Sequence, residues 1–102
     1  MNLLTVFKKK AGLIVEKKND SYLLMRDSDG VREGVCLENT AVDLFELCDG
    51  ENTVLDIINA IMEEYEVDYQ MCLQDVKECL NIFLSEGIIV KCRNTDDGNH
   101  SE

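Results

Sequence analysis

Leu37-Glu38-Asn39-Thr40-Ala41-Val42-Asp43-Leu44-Phe45-Glu46-Leu47-Cys48-Asp49-Gly50-Glu51-Asn52-Thr53-Val54 decides how this 102-residue chain is laid out. It reads as the end of a strand, a capped helix, a glycine stop and the start of a second capped helix. Asn39 or Thr40 can accept hydrogen bonds from the first free amides of a helix whose apolar face is Ala41, Leu44, Phe45 and Cys48. Asp49-Gly50 ends that helix, with glycine supplying a left-handed stop. Thr53-Val54-Leu55-Asp56 resembles a capping box in which Asp replaces the commoner Glu.

Downstream the period stays helical. The second helix is predicted to run to about Glu64, burying Val54, Ile57, Ile58, Ile61 and Tyr65. Asp68 is placed to cap a third, from about Tyr69 to Glu86, with a core stripe of Leu73, Val76, Leu80, Phe83 and Leu84. Cys72, Asp75, Cys79 and Ile82 form an adjacent stripe turned away from it. Gly87 stops the helix, and Ile88-Ile89-Val90 is a last extended segment.

Upstream the period is two. Leu13-Ile14-Val15, Tyr22-Leu23-Leu24-Met25 and Val31 to Leu37 are three strand-like runs, separated by Asn19-Asp20 and by Asp27-Ser28-Asp29-Gly30. Val31, Val35 and Leu37 share one face of the third run, and Gly34 and Cys36 the other. The expectation is an α+β domain of winged helix-turn-helix-like plan, a three-stranded antiparallel sheet followed by three helices and a short terminal strand. Its predicted bounds are residues 12–92, between a flexible basic arm over 1–11 and a disordered tail over 93–102.

Charge and cysteine content narrow the function. Residues 1–18 carry five lysines against Glu16, whereas residues 33–86 hold fourteen carboxylates against Lys77 alone, within a net charge of −11. An acidic body of this kind repels phosphate and attracts basic peptides or protein faces, unless the charge serves only to solvate the surface. No apolar run reaches the roughly 18 residues that a membrane span needs. The Leu3–Phe7 run precedes Lys8-Lys9-Lys10, the reverse of a secretory signal, which predicts a cytoplasmic protein. Cys36, Cys48, Cys72, Cys79 and Cys92 are odd in number and read as free thiols of a reducing compartment.

Reactive constellations are absent from the sequence. The single histidine, His100, falls in the predicted tail, which leaves no Cys-His or Ser-His-Asp set on rigid elements. Cysteine spacings of 12, 24, 7 and 13 residues contain no Cys-x-x-Cys. No catalytic residue, metal ligand or cofactor is therefore assigned; Cys72 and Cys79 share a helix face, which leaves a cluster completed by non-local ligands as the alternative. A DNA-binding winged helix is the competing reading, but its recognition helix would carry Lys77 against Asp75, Glu78 and Glu86, too few cations for phosphate contacts.

Leu37-Glu38-Asn39-Thr40-Ala41, Leu47-Cys48-Asp49-Gly50, Thr53-Val54 with Ile57, and Asp75-Val76 with Leu80, Phe83-Leu84 and Gly87-Ile88 together resemble the PqqD family, the RiPP recognition elements. The resemblance covers about Leu13 to Val90. It departs from the pattern where Glu38 separates Leu37 from Asn39, two residues the family often has adjacent. The family binds the leader of a ribosomally made precursor peptide as an added strand, beside its third strand and over its third helix, for delivery to a maturation enzyme. The resemblance thus implies two partners here, a precursor leader peptide and an enzyme such as a radical SAM protein, a cyclase or a protease. Nucleic acid and membrane are not among the implied partners.

Transferred to these residues, the docking edge is Glu33, Gly34, Val35, Cys36 and Leu37, where Gly34 would let a second backbone approach. Cys36, Cys72, Val76, Cys79 and Phe83 would form an apolar wall, with Asp75 at the rim for a basic leader residue. Each has a plainer alternative. Val76 and Phe83 lie on the main core stripe, Cys72 and Cys79 can serve as small apolar filler, Asp75 as a surface charge, and Gly34 as a β-bulge. An unpaired third strand would also allow a homodimer.

Overall fold

Period-two alternation early in the chain builds one antiparallel sheet, and period-3.6 runs later build the helices that cover it. The computed structural model describes residues 2–28 and 31–94, with side chains described outside 27, 28, 31–33, 93 and 94. Strands β2 (Ile14–Lys18), β3 (Ser21–Ser28) and β4 (Val31–Glu38) form a meander in the order β2-β3-β4. Leu24 and Leu37 are buried on its inner face, with Tyr22 and Val35 packed beside them. The β3–β4 ladder is continuous, pairing Met25 with Gly34 and Leu23 with Cys36. Gly34 is thus an ordinary ladder residue, which removes the bulge alternative.

Three helices follow, α1 (Thr40–Leu47), α2 (Val54–Tyr65) and α3 (Tyr69–Ser85). Both predicted downstream caps form. The Thr53 hydroxyl accepts from the Asp56 amide at 3.1 Å while the Asp56 carboxylate accepts from the Thr53 amide at 2.9 Å. The Asp68 carboxylate accepts from the Met71 amide at 3.0 Å. At α1 the expectation fails. Asn39 makes no side-chain cap and sits at φ 56°, so it is a turning point rather than a capping group. Strand β4 runs one residue past Leu37 to pair Glu38 with Ser21, and the positive φ at Asn39 absorbs that extra residue before the helix begins.

The sequence reading missed a second sheet. Strands β1 (Thr5–Lys9), β5 (Asp49–Thr53) and β6 (Ile89–Asn94) pair in the order β5-β1-β6. Thr5, Val6 and Phe7 are buried, so the segment predicted as a flexible basic arm contains a central strand of the fold. The terminal strand pairs with β1 rather than with the meander, and it includes Arg93 and Asn94, which had been assigned to the tail. The remainder of that predicted tail, 95–102, lies outside the described residues. The chain is α+β, with the antiparallel meander, three helices and terminal strand predicted. The closing sheet β5-β1-β6 is not part of the expected plan.

Two features explain why β5 exists at all. Asp49 accepts from the Glu51 and Asn52 amides at 2.9 and 3.0 Å, and Asn52 donates to the Leu47 carbonyl at 3.2 Å, folding the chain straight out of α1. Those amides hold the Asp49 carboxyl below its usual range, Asn52 first and Glu51 next. Gly50 adopts φ +85°, as a glycine stop requires, but inside a strand paired with β1.

One core joins both sheets and all three helices. Phe45 of α1 meets Phe83 of α3 edge-on at 6.2 Å, among Ile57, Ile58, Leu80, Ile88 and Ile89. Glu46 ties the sheets together at the surface. It accepts from the Tyr22 hydroxyl of β3 at 2.6 Å and pairs with Lys9 of β1 at 3.3 Å and Lys17 of β2 at 3.9 Å.

Candidate functional site

The buried stripe of α3 is Cys72, Val76, Leu80 and Phe83, rotated slightly from the predicted Leu73-Val76-Leu80-Phe83-Leu84. Leu73 is half-buried and Leu84 exposed. That rotation turns Asp75, Cys79 and Ile82 toward a groove bounded by α1 and the end of α2. The groove holds about 500 Å³. Leu44 of α1, Ile61 of α2 and Val76 of α3 are its buried floor.

Its walls are apolar and open to water. Ile82 is 57% exposed although it is a large aliphatic residue, and exposed Tyr65 and Val67 line the same groove. Tyr65, predicted as core, is held at the surface because its hydroxyl donates to the Asp43 carboxylate of α1. That bond raises the tyrosine above its ordinary pKa and braces α2 against α1. The wall is therefore positioned by two helices.

Thr40 and Ala41 also line the groove, and they follow β4 by two and three residues. The groove mouth thus lies at the carboxyl end of β4. Among the described residues, strand β4 is an edge of its sheet, paired with β3 on one side only. Gly34 and Cys36 are exposed on its outer face, Val35 is half-buried, and Leu37 belongs to the core. The side chain of Glu33 lies outside the described residues; its backbone pairs with Arg26.

Of the ten candidate positions, Cys72, Asp75, Val76 and Cys79 meet in the groove, and the five β4 residues form the adjoining edge. Phe83 is not among the residues that line the groove; it is buried in the core, edge-on to Phe45. Val76 serves both as core and as floor. The sequence reading missed the α1 and α2 contributions, and Glu78 and Ile82 of α3. Ile82 was legible on the stripe with Cys79, and Val67 as a lone apolar residue in a polar connection.

Desolvation pushes the Cys79 thiol up to about 11 and also raises Cys72, whose Sγ lies 3.6 Å from the Ile58 carbonyl oxygen. Neither is poised as a thiolate nucleophile at neutral pH. Among the described residues, no three His, Cys, Asp or Glu side chains are gathered to hold a metal ion. No described helix is long and apolar enough to cross a membrane.

A family model described as coenzyme PQQ synthesis protein D (PqqD) matches residues 24–89. The match runs from within β3 to the first residue of β6 and takes in both the β4 edge and the groove. No curated protein and no solved structure matches the chain.

Proposed function

The chain belongs to the PqqD family of RiPP recognition elements, and on that premise we propose that it is a non-catalytic adaptor that captures a precursor leader peptide and presents it to a modifying enzyme. Members of this family are accessory proteins of PQQ and RiPP biosynthesis that work with a precursor peptide and a modifying enzyme. One observation carries the residue-level reading, the juxtaposition of a free strand edge with an open apolar groove at its end.

The edge and the groove contribute differently. An incoming strand would pair with the outward amides and carbonyls of Glu33 to Leu37, each bond adding a net ~0.5 to 1.5 kcal/mol. Such pairing is nearly blind to sequence. Burying one leucine-sized side chain over Leu44, Ile61 and Val76 would add about 1.5 to 3 kcal/mol and supply selectivity. The leader therefore runs along β4 and sets an apolar anchor in the groove. The enzyme, be it a radical SAM protein, a cyclase or a protease, receives the remainder of the precursor. All five cysteines are free, which suits work in the reducing cytoplasm.

Titration of the full chain with the leader encoded beside its gene tests this reading. Saturable binding is expected, and Ile82→Glu is expected to weaken it at least tenfold while leaving thermal unfolding unchanged, because Ile82 is exposed. Absence of binding, with and without the partner enzyme, would count against the adaptor.

A further inference from the structure

The groove carries charge of one sign. Asp75 and Glu78 stand on its α3 rim, and its lining includes no lysine, arginine or histidine. Asp43 adds a third carboxylate behind the Tyr65 hydroxyl. Among the described residues neither Asp75 nor Glu78 has a hydrogen-bond or ion-pair partner, so their charges are not spent within the fold. Asp43, by contrast, is engaged with Tyr65. Both rim carboxylates are exposed beside exposed Ile82 and half-buried Cys79.

Spacing turns this into a recognition rule. Three residues apart on a helix, Asp75 and Glu78 are neighbours on one face, roughly 5 to 6 Å between Cβ atoms. On an extended peptide, side chains on one face are two residues apart, about 6.6 Å along the strand. A residue two positions from the anchor therefore points to the same side and comes level with the rim. We propose that the groove selects a segment in which a large apolar residue lies two positions from a lysine or arginine, the first entering the groove and the second meeting Asp75 and Glu78. This rests on the leader-binding reading for its biological source, but not for its chemistry.

Because the rim is wet, the cation's contribution is modest and depends on salt. At 0.15 M salt the screening length is about 8 Å, so these charges act on a docked peptide and lose strength as salt rises. Reversing both should weaken a matched peptide by about tenfold, the scale of two surface ion pairs replaced by repulsion.

Two experiments test the rule separately from the function. Random displayed 12-residue peptides are selected on the full chain and, in parallel, on D75K/E78K. The wild-type pool is expected to enrich Leu, Ile, Phe or Met two positions from Lys or Arg, and the variant pool to lose that cation. Acidic or neutral enrichment on the wild type, no enriched motif, or the same motif on both proteins overturns the proposal. The native leader is then titrated at low and high salt against wild type and D75K/E78K, with D75N/E78Q as the variant that removes charge without reversing it. A leader that binds all three equally, independent of salt, overturns the rule while leaving the adaptor intact. A basic-apolar motif from the library with no binding of the native leader keeps the rule and removes the adaptor.

Discussion

The two three-stranded sheets share one core but are held together in different ways. The meander β2-β3-β4 buries Leu24 and Leu37 on one face, and β4 is an edge strand among the described residues. The sheet β5-β1-β6 places its most buried strand in the middle, with Thr5, Val6 and Phe7 all buried. One sheet offers surface and the other closes the core. Changes in β1 should therefore act on folding, and changes on the outer face of β4 on binding.

Phe7→Ala gives the largest expected effect. It deletes a buried aromatic ring from the central strand and should cost about 3 to 5 kcal/mol, read as a lower denaturant midpoint at unchanged slope. An unfolding curve within error of wild type would restore the flexible arm. Thr53→Ala comes next, since it removes half of a reciprocal capping box where β5 passes into α2, at a cost of about 1 kcal/mol by the same measurement. A loss confined to a few tenths would mean that β5 alone holds the start of α2.

Glu46, which bridges the sheets, should matter less. It is exposed, and screening keeps its ion pairs under about 1 kcal/mol. Its pH signature is nonetheless defined. The Tyr22 hydroxyl, then Lys9 and Lys17, hold the carboxyl below 4.5, so the bridge stabilises above that pH and is lost as pH falls through the lowered value. Tyr22 is raised above 10.0 by the same bond, so its share persists below that pH and is lost as pH climbs through the raised value. Glu46→Gln should flatten the acid limb of a stability-against-pH profile, and an unchanged limb would assign it elsewhere. At the small end, Cys36→Ala on the outer face of β4 should shift stability by no more than about 0.5 kcal/mol.

The same contrast explains what could be read from the sequence. The meander and the helices announce themselves through period-two and period-3.6 runs and through local caps at Thr53 and Asp68. Strand β5, Asp49-Gly50-Glu51-Asn52-Thr53, has the composition of a turn and is a strand only because β1 lies beside it. Strand β1 has two adjacent buried apolar residues and then lysines, and its register with β6 shifts between Val6 and Phe7, which hides any alternation. The site divides likewise. Its α3 face was visible because helix geometry is local, whereas Leu44, Ile61 and Tyr65 come to the groove through tertiary packing that no single window of sequence contains. Tyr65 reads as core until Asp43 is seen to hold its hydroxyl at the surface.

Hydrogen exchange of the full chain, with and without the leader encoded beside its gene, tests the central claim most directly. The account predicts slowed exchange concentrated at the outward amides of β4, with the amides of β1 unchanged. Binding that leaves β4 exchange unaltered, or no binding at all, would contradict it.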